Sequence, residues 1–191
     1  MFEYVIENIY QLLGVVFSII YVILSIKQNI YCWPALIIAA LLNMVAYNII
    51  NLPLQVTMQI FFIITAIYGW RKWRAKIDTT TKKELKITSW DTKTNIWYIS
   101  CGLLITIILA VFLENYNLSD FPFLDSLMFS FNIIPMYMTG KKILQSWIYF
   151  IVIDIISGVF YLFIGEYFFA FLFFCYIGFA SHGYITWKKE I

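Results

Sequence analysis

Charge is what this chain has least of. Only 13% of its 191 residues are Asp, Glu, Lys or Arg, and 62% are hydrophobic. Soluble domains carry about 25% charged and about 45–50% apolar residues, so a water-covered globule is excluded. A mean hydropathy of +0.82 points to a bilayer instead. Histidine occurs once, as His182, one residue before Gly183, and reads as a packed or interfacial side chain. The three cysteines, Cys32, Cys101 and Cys175, are scattered, odd in number and without metal spacing; they read as small apolar residues. No HExxH, G-x-S-x-G or phosphate-loop motif is present, so neither an enzyme nor a cofactor or metal is expected. A nucleic-acid partner is not expected either. No lysine lies inside an apolar run, which removes a retinal Schiff base of the seven-helix photoreceptor kind. The first ten residues carry Glu3 and Glu7 but no Lys or Arg, unlike a cleavable signal peptide.

What the chain does have is long apolar runs. A membrane helix needs about 20 mostly apolar residues, and seven stretches qualify: Ile9–Ile26, Trp33–Ile50, Leu54–Trp70, Ile96–Leu113, Phe123–Thr139, Trp147–Ile164 and Tyr167–Trp187. They lack the two-residue alternation of lipid-facing strands, so the expected class is an all-α integral membrane protein. The loop Arg71–Lys93 holds eight of the thirteen Lys/Arg. With that loop in the cytoplasm and seven spans threaded from it, Lys27, Lys141, Lys142, Lys188 and Lys189 fall on the same side. Glu3, Glu7, Glu114, Asp120 and Glu166 fall outside, with Asp125 at the outer end of the fifth span. The expected topology has the N-terminus outside and the C-terminus in the cytoplasm.

The chain also resembles itself. Residues 27–74 laid on 141–188, an ungapped offset of 114, give ten identical pairs of 48, including Trp33 with Trp147, Tyr47 with Tyr161, Gly69 with Gly183 and Trp73 with Trp187. The reading is a duplicated three-helix unit: 1–73 as the first repeat, 74–95 as a basic cytoplasmic loop, 96–113 as a lone linker helix, and 114–191 as the second repeat. An odd linker makes the repeats parallel in topology, an architecture in which secondary transporters bind substrate near the midplane between repeats. An inert scaffold or receptor could share this plan.

Polar groups within the spans mark where such a ligand would sit. Asp154 is near the middle of the sixth span, and an Asp there costs about 2.5–3.5 kcal/mol on insertion scales. Trp147, Phe150, Asp154, Ser157 and Tyr161 recur every three or four residues, hence on one helical face. Aromatic rings beside a carboxylate suit a flat organic cation; alternatively, Asp154 hydrogen-bonds a neighbouring helix. Asn43 and Tyr47 on the second span, and Gln55 and Gln59 on the third, could bind hydroxyls or a carboxamide, or could tie helices together. Asn132 and Pro135 add a polar group and a kink to the fifth span. Under the same offset Asn43 meets Ser157 and Gln59 meets Phe173, an inequality that fits one asymmetric ligand.

The pattern Gln59-x-x-Phe62, Tyr68-Gly69-Trp70-x-x-Trp73, Trp147-x-x-Phe150-x-x-x-Asp154 and Gly183-Tyr184-x-x-Trp187 resembles the PnuC family of bacterial vitamin transporters over essentially the whole chain. The resemblance implies a SWEET-like 3+1+3 bundle that passes nicotinamide riboside by facilitated diffusion, or thiamine or riboflavin in sister branches. It implies a functional link to a cytoplasmic vitamin kinase, whose phosphorylation traps the substrate without ion coupling or ATP at the carrier. A homo-oligomer remains open. The family's sixth-span pattern is commonly Trp-x-x-Trp followed four residues later by Asn or Asp. Here Phe150 replaces the second Trp and Asp154 fills the last position, so stacking is kept and one indole N–H is lost.

Overall fold

The computed structural model describes residues 2–74 and 85–191, with side chains from Ile9 onward. Residues 75–84, including Lys76, Lys82 and Lys83 of the predicted loop, lie outside the described residues, as do the side chains of Glu3 and Glu7. The described chain forms seven helices: α1 (Phe2–Ile26), α2 (Cys32–Ile49), α3 (Pro53–Arg74), α4 (Thr92–Asn115), α5 (Pro122–Gly140), α6 (Ser146–Phe163) and α7 (Tyr167–Lys188).

These ends outrun the apolar runs because local chemistry extends them. Pro53 and Pro122 occupy the first helical position, where a missing N–H costs nothing. Arg71, Lys72 and Arg74 sit in the last turn of α3, where cations suit the negative end of the helix. Asp91 caps α4 by accepting the Thr94 backbone N–H at 3.1 Å, and hydrogen bonding from the Thr94 hydroxyl, together with that N–H, holds its carboxyl below the ordinary carboxylate range.

Six helices close a ring in the order α1, α2, α3, α5, α6, α7 and back to α1, while α4 lies outside it against α5. Six of the seven are long and apolar enough to cross a bilayer. The exception is α5, which carries Asp125, Ser126, Ser130, Asn132 and Pro135, all buried. Its place explains its polarity: α3 and α6 flank it in the ring and α4 covers its outer side. Around Pro135, side chains supply hydrogen bonds to backbone carbonyls, Asn132 to Met128 at 2.8 Å and Thr139 to Pro135 at 2.9 Å.

Local geometry recurs 114 residues apart. Positive φ angles occur at Gln28 (52°) and Lys142 (55°), and at Asn51 (56°) and Gly165 (83°). Trp33 meets Trp73 edge-on at 5.1 Å, and Trp147 meets Trp187 edge-on at 5.2 Å. These four indoles fill the basic end of the bundle with Ile87, from a segment that bridges Thr88 to Ile143. Tyr47, Tyr161, Phe160 and Phe169 pack the opposite, acidic end.

Candidate ligand cavity

Between the two aromatic clusters lies a cavity of about 70 Å³, lined by all six ring helices. Its walls pair across the duplication. Val22 and Met136, Leu36 and Phe150, Met58 and Leu172, and Phe62 and Tyr176 are each 114 residues apart, and both members of every pair line it. The cavity is therefore walled by residues from both segments that match at this offset. Chemistry breaks this equivalence most sharply where Ala40 corresponds to Asp154 and Gln59 to Phe173.

Asp154 is 2% exposed and accepts no hydrogen bond among the described residues. The Tyr176 hydroxyl lies beside Ser18 and within electrostatic reach of it. Phe150 and Trp147 stand one and two turns away on α6, their rings tilted at 6.3 Å. The Trp147 indole N–H and the Gln59 side-chain oxygen are buried without a protein partner, and each borders the cavity. A buried polar atom left unpaired costs about 1–3 kcal/mol, so these atoms are suited to a ligand that pairs them.

Of the eight residues expected at the site, Asn43, Tyr47, Gln59, Trp147, Phe150 and Asp154 line the cavity. Asn43 also serves the helix–helix role: its amide donates to Ser18 on α1 at 3.3 Å. Its oxygen points at Gly14, where a Cβ would fall 2.1 Å from it. Gln55 and Tyr161 do not line the cavity. The Gln55 amide donates to Asp125 at 2.7 Å, and Asp125 also accepts from Ser119, at the floor of a polar vestibule of about 530 Å³ at the acidic end. Tyr161 is one layer back, stacked on the lining residue Phe173 at 5.3 Å. Sequence reading missed Tyr21 and Tyr176, which line the cavity; among 14 tyrosines neither carried a distinguishing signal. His182 is exposed on α7.

The volume is below the roughly 300–1,000 Å³ usual for small-ligand sites. The ring is drawn in around its centre, and Met58 and Met136, unbranched and adaptable, fill part of the space. Binding of an aromatic solute requires such side chains to move aside.

A closed ring of six helices around one shared, asymmetric cavity is an arrangement that can enclose a small solute. The chain belongs to the nicotinamide mononucleotide transporter family, whose profile matches residues 8–189. It is 26% identical over 158 aligned residues to the nicotinamide riboside transporter PnuC of Escherichia coli (strain K12), and equally to that of Shigella flexneri. Each match covers 66% of this chain and 64% of the relative, so the chain spans under two thirds of the length of the curated relatives it matches. Its fold is that of a crystal structure of the vitamin B3 transporter PnuC, with a TM-score of 0.80 at 16% identity over 95% of this chain and 81% of the other.

Proposed function

We propose that this protein carries nicotinamide riboside across the bacterial inner membrane by facilitated diffusion, the substrate then being trapped by a cytoplasmic kinase. The observation that carries the reading is Asp154, a carboxylate without a protein partner set between aromatic rings in the cavity. A buried carboxylate without a counter-ion is costly, and a pyridinium ring supplies that charge together with a face for stacking. Trp147 and Phe150 stack on the ring, Asp154 faces its charge, and Asn43, Tyr47 and Gln59 bind hydroxyls or the carboxamide. Gln55 and Tyr161 support this site from the adjoining layer. The basic end faces the cytoplasm, in keeping with the bias of Lys and Arg toward that side, and the two three-helix halves move against each other to expose the cavity to either face.

Thiamine is the second reading, because it too is a flat cation and Phe150 departs from the commoner tryptophan. Riboflavin, which is neutral, leaves Asp154 without a counter-charge. Competition binding on purified protein separates the three. Nicotinamide riboside should displace a bound label at the lowest concentration; displacement by riboflavin ahead of both cations would contradict the reading.

A further inference from the structure

The outer face of the bundle holds a second constellation, away from the cavity. The linker α4 packs on α5 but not on α3, while α3 packs on α5 from the other side. A cleft therefore runs along α5 between α3 and α4. At its basic end three tyrosines, one from each helix, bridge the gap: Tyr68 stacks on Tyr137 at 6.0 Å, and Tyr137 on Tyr98 at 6.4 Å. Trp90 extends the row by stacking on Tyr98 at 4.3 Å.

Two lysines top this row. Lys141 Nζ lies 4.6 Å from the Tyr137 ring centre and Lys72 Nζ 5.9 Å from that of Tyr68. Among the described residues neither lysine is paired with a carboxylate. The electrostatic neighbours of Lys141 are Tyr137, Tyr68 and Tyr98, with the Tyr137 hydroxyl chief among the groups that hold the ammonium charged. Three hydroxyl donors and two cations thus converge where α3, α4 and α5 reach the membrane surface. One to two turns deeper on the same helical faces, Ile64, Ile133 and Ile105 are apolar and exposed or half-buried.

We propose that this cleft is a binding site for an anionic phospholipid. Lys72, Lys141 and the tyrosine hydroxyls hold the phosphate, and an acyl chain lies along α5 between α3 and α4. Charge complementarity favours this occupant over a second copy of the chain, whose apolar helix faces would leave two ammoniums without a counter-charge. The proposal rests on the chain crossing a bilayer and not on which vitamin the cavity takes.

The test is a titration of the purified full chain, in neutral detergent, with phosphatidylglycerol, phosphatidylcholine and inorganic phosphate, the bound lipid being counted by native mass spectrometry. Phosphatidylglycerol should bind more tightly than phosphatidylcholine, and phosphate should not displace it. A lysine near an anionic headgroup contributes about fivefold in affinity, so Lys72→Gln with Lys141→Gln should weaken phosphatidylglycerol on the order of 30-fold. Lys188→Gln with Lys189→Gln removes the same charge from the end of α7 and should leave binding unchanged. Should the first double variant not fold, Lys72→Gln alone, at an exposed helix end, should still show about a fivefold loss. Equal losses in both double variants would mean a general attraction of the basic end and overturn the site. So would unchanged binding in the first variant, as expected if a second copy covers the cleft, or displacement by phosphate alone.

Discussion

The indole of Trp147 occupies the space that a side chain on Gly183 would need. A Cβ built on Gly183 falls 2.8 Å from three atoms of that ring, and one on Gly69 falls 2.3 Å from the Trp33 ring. Each glycine thus admits a tryptophan from the adjacent helix, and each tryptophan is wedged in turn by Trp187 or Trp73. Neither indole can yield without disturbing the whole basic-end cluster.

Gly183→Ala and Gly69→Ala should each destabilise the folded protein by about 1–3 kcal/mol, the usual cost of overpacking. Thermal unfolding in detergent measures this. The two should differ in function: Trp147 lines the cavity and Trp33 does not, so Gly183→Ala should also weaken ligand binding while Gly69→Ala leaves it near wild type.

Gln55 and Asp125 tie α3 to α5 below the vestibule. Gln55→Leu strips Asp125 of one buried donor, which costs about 1–3 kcal/mol. Stability should fall by that amount in a melting experiment while ligand affinity in the surviving folded protein stays unchanged. A large affinity loss without a stability loss would move Gln55 into the ligand site.

The sequence carried the helices better than it carried the depth of the site. Each predicted span falls inside an observed helix or within a residue of one, because a bilayer-length apolar run admits few other conformations. Even α5, which falls short of a candidate span by apolarity, reads from the sequence as the run Phe123–Thr139, and placing every Lys and Arg on one side requires that odd span. Depth was harder. From Trp147 to Tyr161 is 14 residues, or about 21 Å along a helix, and only the part from Trp147 to Asp154 lines the cavity. The turn from Gln59 to Gln55 crosses the same boundary. Tyr176 reaches the cavity through the crossing of α7 with its neighbours, a tertiary fact with no local signature.

The sidedness of charge predicts accessibility. In a variant whose three native cysteines have been replaced, a single cysteine at Asn117 should react with an impermeant reagent from outside intact cells. One at Lys86, exposed at the opposite end, should react only after the membrane is opened. Labelling of both from the same side would contradict the topology.

Transport should be passive. No nucleotide-binding motif is present, and Asp154 is the carboxylate that borders the cavity. Flux of labelled nicotinamide riboside into liposomes should follow its own gradient and persist when proton and sodium gradients are collapsed. Uphill accumulation driven by either ion would contradict facilitated diffusion.

If Asp154 faces the positive ring of the substrate, nicotinamide riboside affinity in wild type and Asp154→Asn, with melting curves for both, reports it most directly. The asparagine keeps size and hydrogen bonding and removes the charge. A partly desolvated charge–cation contact contributes on the order of 1–3 kcal/mol, so affinity should fall about 5- to 150-fold while the unliganded protein melts at or above the wild-type temperature. Unchanged affinity together with a lower melting temperature would contradict the account and make Asp154 a tie between helices.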